Sequence, residues 1–117
     1  MKLLIADDNK EIRKMLKTIC SHLFYQILEC DDGDDAIRIY RDEKPDWVLM
    51  DIKMERLDGI VATKEIKRKY PSAKIIIVSQ FNDKSLIEEA KNSGATDFVS
   101  KEDLTRIETI ISQRGNN

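Results

Sequence analysis

Three tetrapeptides constrain this chain before any other feature does. Leu3-Leu4-Ile5-Ala6, Trp47-Val48-Leu49-Met50 and Ile75-Ile76-Ile77-Val78 are apolar without alternation. A strand with one wet face alternates apolar and polar residues, whereas a strand apolar at every position is buried on both faces. Between these runs the spacing turns helical. Glu11–Leu23 places Ile12, Met15, Leu16, Ile19, Cys20 and Leu23 on one stripe. Asp34–Arg41 turns Ala36, Ile37 and Tyr40 inward, and Asp58–Tyr70 and Asp83–Asn92 read as helices. Leu104, Ile107, Ile110 and Ile111 mark a final helix. Ile27–Cys30 and Asp97–Val99 are shorter or more polar strand candidates, which suits edges. Five βα units in succession predict an α/β fold: a doubly wound parallel five-stranded sheet in the order 2-1-3-4-5, helices on both faces, right-handed crossovers. The expectation is one domain over residues 1–117.

The punctuation agrees. Pro45 and Pro71 each fall between a helix and a strand. Gly33 and Gly94 sit at element boundaries, where a positive φ is often needed. Gly59 opens a helix, so close packing is the better reason for it. Gln113 to Asn117 read as a short frayed tail.

Composition narrows the function. Twenty Lys and Arg stand against 22 Asp and Glu, a net charge of −2, so no basic field points to direct nucleic-acid binding. His22 is the single histidine, which excludes a multi-histidine metal site and makes a surface or helix-end role the expectation for that side chain. Cys20 and Cys30 match no zinc or redox spacing and read as two small buried thiols in a reduced cytosol. No apolar run approaches the ~20 residues that span a bilayer, and no signal segment opens the chain. A soluble, cytoplasmic protein with no membrane partner is expected.

In an open parallel sheet, ligands bind beyond the carboxyl ends of the strands where strand order reverses. Here those ends carry Asp7-Asp8, Asp51, Ser79-Gln80 and Ser100-Lys101. Three carboxylates, a hydroxyl and an ammonium would therefore converge on one crevice. Clustered carboxylates repel one another unless cations relieve them. Lys101 supplies one charge. The fixed ligands are all oxygens, so Mg²⁺ (or Mn²⁺) fits best as a second cation. A carboxylate beside Mg²⁺ and an ammonium can attack a phosphoryl donor. Singly, each residue has a plainer reading: Asp-Asp after a strand is commonly a solvated turn. The conjunction at four strand ends carries the argument.

These motifs resemble the receiver domains of bacterial two-component systems over nearly the whole chain, a flavodoxin-like (βα)5 family. Leu4-Ile5-Ala6-Asp7-Asp8 is similar to its acidic pair, and Leu49-Met50-Asp51-Ile52-Lys53-Met54 followed by Asp58-Gly59 to its phosphoacceptor segment. Ile76-Ile77-Val78-Ser79 is similar to its switch strand, and Gly94-Ala95-Thr96-Asp97-Phe98-Val99-Ser100-Lys101 to its closing segment. The resemblance implies Asp51 as phosphoacceptor. It implies Mg²⁺ bound directly by Asp8, mainly through water by Asp7, and also by Asp51 and the backbone carbonyl of Lys53. Lys101 would pair with the phosphoryl group, Ser79 would turn inward to it, and Phe98 would rotate into the space vacated. Phe98 also reads as an ordinary edge-strand aromatic. The implied donor is a phosphohistidine on a sensor histidine kinase or phosphotransfer protein. The implied output is the face of the fourth helix, fifth strand and fifth helix (Leu86–Asn92, Asp97–Val99 and Leu104–Ser112), which controls a partner, an output domain or a homodimer.

Three residues depart from the family pattern. Glu55 and Glu102 stand where prolines are common, and Gln80 where a small residue is usual. A trans bond is expected between Lys101 and Glu102, because a cis bond without proline costs ~3 kcal/mol more. Gln80 and Lys53 are expected to border the path of water to an aspartyl phosphate and to slow its hydrolysis. Two competing functions remain open at this level. A phosphohydrolase would need a second acid where Lys53 stands. A phosphorylation-independent interaction module is the other, since fold alone does not specify function. The chain is expected to be a signalling domain rather than an enzyme, and either a single-domain regulator or the receiver of a longer one.

Overall fold

A computed structural model describes residues 1–81 and 83–115. Its elements alternate as expected: β1 (Lys2–Ala6), α1 (Lys10–Cys20), β2 (Gln26–Cys30), α2 (Gly33–Glu43), β3 (Trp47–Met50), α3 (Gly59–Lys69), β4 (Ile75–Ser79), α4 (Lys84–Asn92), β5 (Asp97–Ser100) and α5 (Thr105–Gly115). The strands form one five-stranded parallel sheet, β2-β1-β3-β4-β5.

The three apolar runs are the three inner strands, and their residues divide between two cores. Leu3, Ile5, Trp47, Leu49, Ile76 and Val78 face α1 and α5, packing with Leu16, Cys20, Ile107 and Ile111. Leu4, Ala6, Val48, Met50, Ile75 and Ile77 face the opposite way, packing with Ala36, Tyr40, Ile60, Ile66 and Ala90 of α2, α3 and α4. Successive side chains on a strand point to opposite faces, so burial on both faces removes the polar alternation. Each fully buried Leu or Ile contributes about 1.5–3 kcal/mol. No helix among the described residues is long and apolar enough to cross a membrane.

Local chemistry sets the helix starts. Asn9 caps α1 by accepting from the Glu11 and Ile12 amides, and Asp58 caps α3 by accepting from Ile60 and Val61. The expected first residues Asp58 and Asp83 are thus the residues before helices α3 and α4. Helix α1 ends at Cys20, short of Leu23, because residues 21–23 form a turn closed by Leu23 N–H donating to Cys20 O.

Several expectations need correction. Met15 is 49% exposed, on the rim of the α1 stripe rather than within it. Gly94 has a positive φ of 95°, but Gly33 does not; the positive φ at the end of α2 belongs to Lys44, at 47°. Gly33 is needed because a Cβ there would run into the Leu57 carbonyl. Cys30 is half-buried rather than buried, its thiol donating to Asp32 O. Burial pushes both thiols up to about 11, and both cysteines are free. Gln113–Gly115 belong to α5 rather than to a frayed tail, while Asn116 and Asn117 lie outside the described residues. His22 is exposed, as expected, with its Nε2 2.9 Å from Glu108 Oε2 on α5.

Candidate functional site

Sheet register brings the acidic residues together. Ala6 pairs with Met50, so Asp7 and Asp51 leave adjacent strands side by side, and Asp51 N–H donates to Ala6 O at 2.8 Å. Asp7, Asp8 and Asp51 each present a carboxylate oxygen within 4.8 Å of the others. At the far side Ser79 pairs with Ser100, and Lys101 N–H donates to Ser79 O at 2.8 Å. That placement sends Lys101 Nζ across to Asp7 Oδ2 at 2.9 Å and Asp51 Oδ1 at 3.1 Å.

The charges do not balance. Among the described residues, Lys101 is the one side-chain cation in ion-pair contact with these carboxylates. Burial first, and then the charge of Asp7, push the Asp51 carboxyl up to about 6 against the pull of Lys101. Burial lowers the Lys101 pKa, but the carboxylates of Asp7 and Asp51 outweigh it, so its net shift is upward. Asp7 Oδ2 is fully buried, and its ion-pair partner among the described residues is Lys101, whose ammonium it shares with Asp51. An oxygen-only donor set with surplus negative charge suits a hard divalent cation. The acidic cluster fits the Mg²⁺ site of receiver domains.

The remaining expected residues lie at different distances from this chemistry. Lys53 and Gln80 line a hollow of about 250 Å³ together with Asp8, Asp51 and Lys101. Ser79 is buried, and its Oγ accepts from Phe81 N–H at 3.0 Å. Phe98 is half-buried against the core beneath α4 and lines a separate cavity of about 340 Å³ between α4, β5 and α5.

The family model of the response regulator receiver domain matches residues 3–112. The chain belongs to this family. Chemotaxis protein CheY of Thermotoga maritima is 41% identical over 101 residues, covering 86% of this chain and 84% of that protein. CheY of Bacillus subtilis is 39% identical with the same coverage. Among solved structures, the response regulator domain of Thermotoga maritima CheB superposes with a TM-score of 0.88 at 29% identity, covering 100% of this chain and 97% of that one. The CheX-CheY-BeF3-Mg²⁺ complex of Borrelia burgdorferi gives 0.88 at 26% identity, covering 97% and 89%. The fold is the flavodoxin-like fold of CheY, and the domain is a module of two-component signalling, whose general function is phosphorylation-dependent switching.

Several residues that shape this receiver domain's site escaped the sequence reading. Asn9 N–H donates to Asp7 Oδ1 at 2.8 Å, and Arg13 donates to Asp7 O at 2.7 Å, so the cap of α1 and its first turn hold Asp7 in place. The signal for Asn9 was present: a good N-cap residue directly before a helical stripe. Phe81 is 42% exposed at the mouth of the hollow, with Lys53 Nζ 5.6 Å from its ring centroid. Glu102 occupies a common proline position and donates its N–H to Ser100 Oγ, a bond proline lacks. No cis peptide bond occurs among the described residues, as expected at Lys101–Glu102.

Proposed function

We propose that this receiver domain takes a phosphoryl group onto Asp51 from a phosphohistidine of a sensor histidine kinase or phosphotransfer protein, with Mg²⁺ (Mn²⁺ as substitute) as cofactor. The observation that carries the reading is the Lys101 ammonium held between Asp7 and Asp51 at 2.9 and 3.1 Å. Asp8 directly, Asp7 mainly through water, Asp51 and the Lys53 backbone carbonyl would hold the ion. The Borrelia burgdorferi relative, whose complex contains BeF3 and Mg²⁺, supports both the cofactor and the phosphoryl-like ligand. When bound, the ion supplies positive charge for the phosphoryl oxygens in the transition state.

An Oδ of Asp51 attacks phosphorus. The new P–O bond forms as the P–N bond to the donor imidazole breaks, and that electron pair stays on the departing nitrogen. Lys101 then pairs with a phosphoryl oxygen. Ser79 gives up its contact with Phe81 N–H and donates its hydroxyl to another. The space so opened admits Phe98, which alters the α4-β5-α5 face. The loop implicated runs from Phe81 to Lys84, of which Asn82 lies outside the described residues. Phosphorylation adds ~2 negative charges and biases two conformations that already compete. A protein partner, an output domain or a second copy that prefers the altered face stabilises it in return. The domain acts as a cytoplasmic switch with no direct nucleic-acid contact, and it catalyses only its own phosphorylation and dephosphorylation.

The test is incubation with acetyl phosphate, with and without Mg²⁺. Wild type gains one acid-labile phosphoryl group only with Mg²⁺, and Asp51→Ala gains none. Light scattering in beryllofluoride shows whether the altered face pairs with its own copy. Absence of acid-labile phosphate on wild type ends the reading.

A further inference from the structure

Asp32 lies outside the carboxylate cluster, yet its buried side chain is spent on the loop that leaves Asp51. One oxygen accepts from Arg56 N–H at 2.7 Å and the other from Leu57 N–H at 2.9 Å. The second also caps α2 through Asp34 N–H at 3.5 Å. Its neighbour Gly33 donates to Leu57 O at 3.1 Å, the carbonyl that forbids a Cβ there. On the other side Cys30 O accepts Asp7 N–H at 3.1 Å, and the Cys30 thiol contacts Asp32 O. The β2–α2 turn therefore grips both loops of the acidic site while giving it no ligand.

We propose that Asp32 is the positioning residue of the cation site, fixing residues 52–57 so that the Lys53 carbonyl faces the carboxylates of Asp7, Asp8 and Asp51. The proposal rests on the reading that a cation binds there with that carbonyl as a ligand. A carboxylate suits the task because it accepts from two adjacent backbone amides at once, whereas a hydroxyl caps a helix but does not span both. Groups that orient a metal's ligands without touching the metal typically affect its affinity ~10–100-fold.

Asp32→Ser separates the two duties of this side chain, since serine retains the α2 cap and releases Arg56 and Leu57. Isothermal titration with Mg²⁺ alone, on protein shown by circular dichroism to be folded, should give a dissociation constant about tenfold weaker for Asp32→Ser. Asp32→Asn, which keeps one acceptor, should fall between it and wild type. A folded Asp32→Ser with wild-type affinity overturns the proposal and leaves the phosphoacceptor reading intact. Wild type that binds no Mg²⁺ overturns both. In wild type, Mg²⁺ should also slow hydrogen exchange at the Arg56 and Leu57 amides, because coupling is reciprocal. Exchange there that ignores Mg²⁺ overturns the proposal even where Asp32→Ser does not fold.

Discussion

Lys101 Nζ lies 3.1 Å from Asp51 Oδ1, and yet the Asp51 carboxyl sits up at about 6. An isolated ion pair would lower it. Burial and the neighbouring Asp7 win because two buried carboxylates share one ammonium. With Lys101 as its one side-chain cation among the described residues, the site is therefore a point of stored repulsion.

That repulsion predicts that Asp51→Asn is more stable than wild type in the absence of Mg²⁺ at neutral pH, by about 1–2 kcal/mol. The gain should shrink in saturating Mg²⁺, which stabilises the wild-type charges by binding. Urea unfolding with and without the ion checks this. Equal stability in both conditions would remove the electrostatic account of the site.

Lys101→Met should act in the opposite direction. It leaves two buried carboxylates without their ammonium, a loss of about 3 kcal/mol in metal-free buffer. Part of that loss should return with Mg²⁺, while phosphoryl uptake from acetyl phosphate stays at least tenfold slower, since nothing replaces the ammonium at the transferring group. The two readouts are unfolding midpoint and phosphorylation rate.

Asp32 gives the pH dependence. Burial would raise its pKa, but the Arg56, Asp34 and Leu57 donors outweigh it and bring it down to about 2. The folded value lies below the unfolded one of ~3.9. Its contribution is therefore complete above about pH 4–5 and fades as pH falls toward about 2, the folded state needing to take up the proton last. Unfolding free energy measured across that window should fall less steeply in Asp32→Ser than in wild type.

Gln80 is exposed and lines the hollow over Asp51 with Lys53 and Phe81. Long polar side chains there should obstruct water, so the phosphorylated domain is expected to decay slowly in Mg²⁺, and Gln80→Ala several-fold faster. Decay that is faster in wild type than in the variant would refute this.

Gly59 meets the Asp51 carbonyl so closely that a Cβ has no room, with Met50 Cγ behind it. Gly59→Ala should cost about 2–4 kcal/mol, in the range of forced backbone displacement in a core. It should also impair phosphorylation, because the backbone it displaces carries Asp51, the proposed acceptor. Thermal unfolding and acetyl phosphate uptake would show both losses or refute the link between them.

The inner strands were legible because burial on both faces leaves a run with no polar residue, a signal that survives without knowledge of neighbours. Strand ends then located Asp7, Asp8, Asp51 and Lys101 through the rule that ligands gather at a topological switch point. Exposure of Met15 was not legible, since an apolar residue on a stripe's rim has the same spacing as one at its centre. Nor was the reason for Gly33, which depends on a carbonyl at Leu57. Asp32 reads as one more acidic residue before a helix, because the amides it holds belong to residues 24 and 25 positions away.

By itself, then, the amino-acid order determined the layered architecture, the strand order and the set of oxygens facing the switch point. Those follow from local periodicity and from chain-wide rules of parallel sheets. Tertiary structure alone decided how these groups are shared: one ammonium between Asp7 and Asp51, Ser79 occupied by Phe81 N–H, and the loop after Asp51 fastened to the β2–α2 turn. Hydrogen bonds and ion pairs form only where donor and acceptor approach to about 3 Å, and a shift of a few tenths of an ångström weakens them. Such distances exist only once the sheet has set its register.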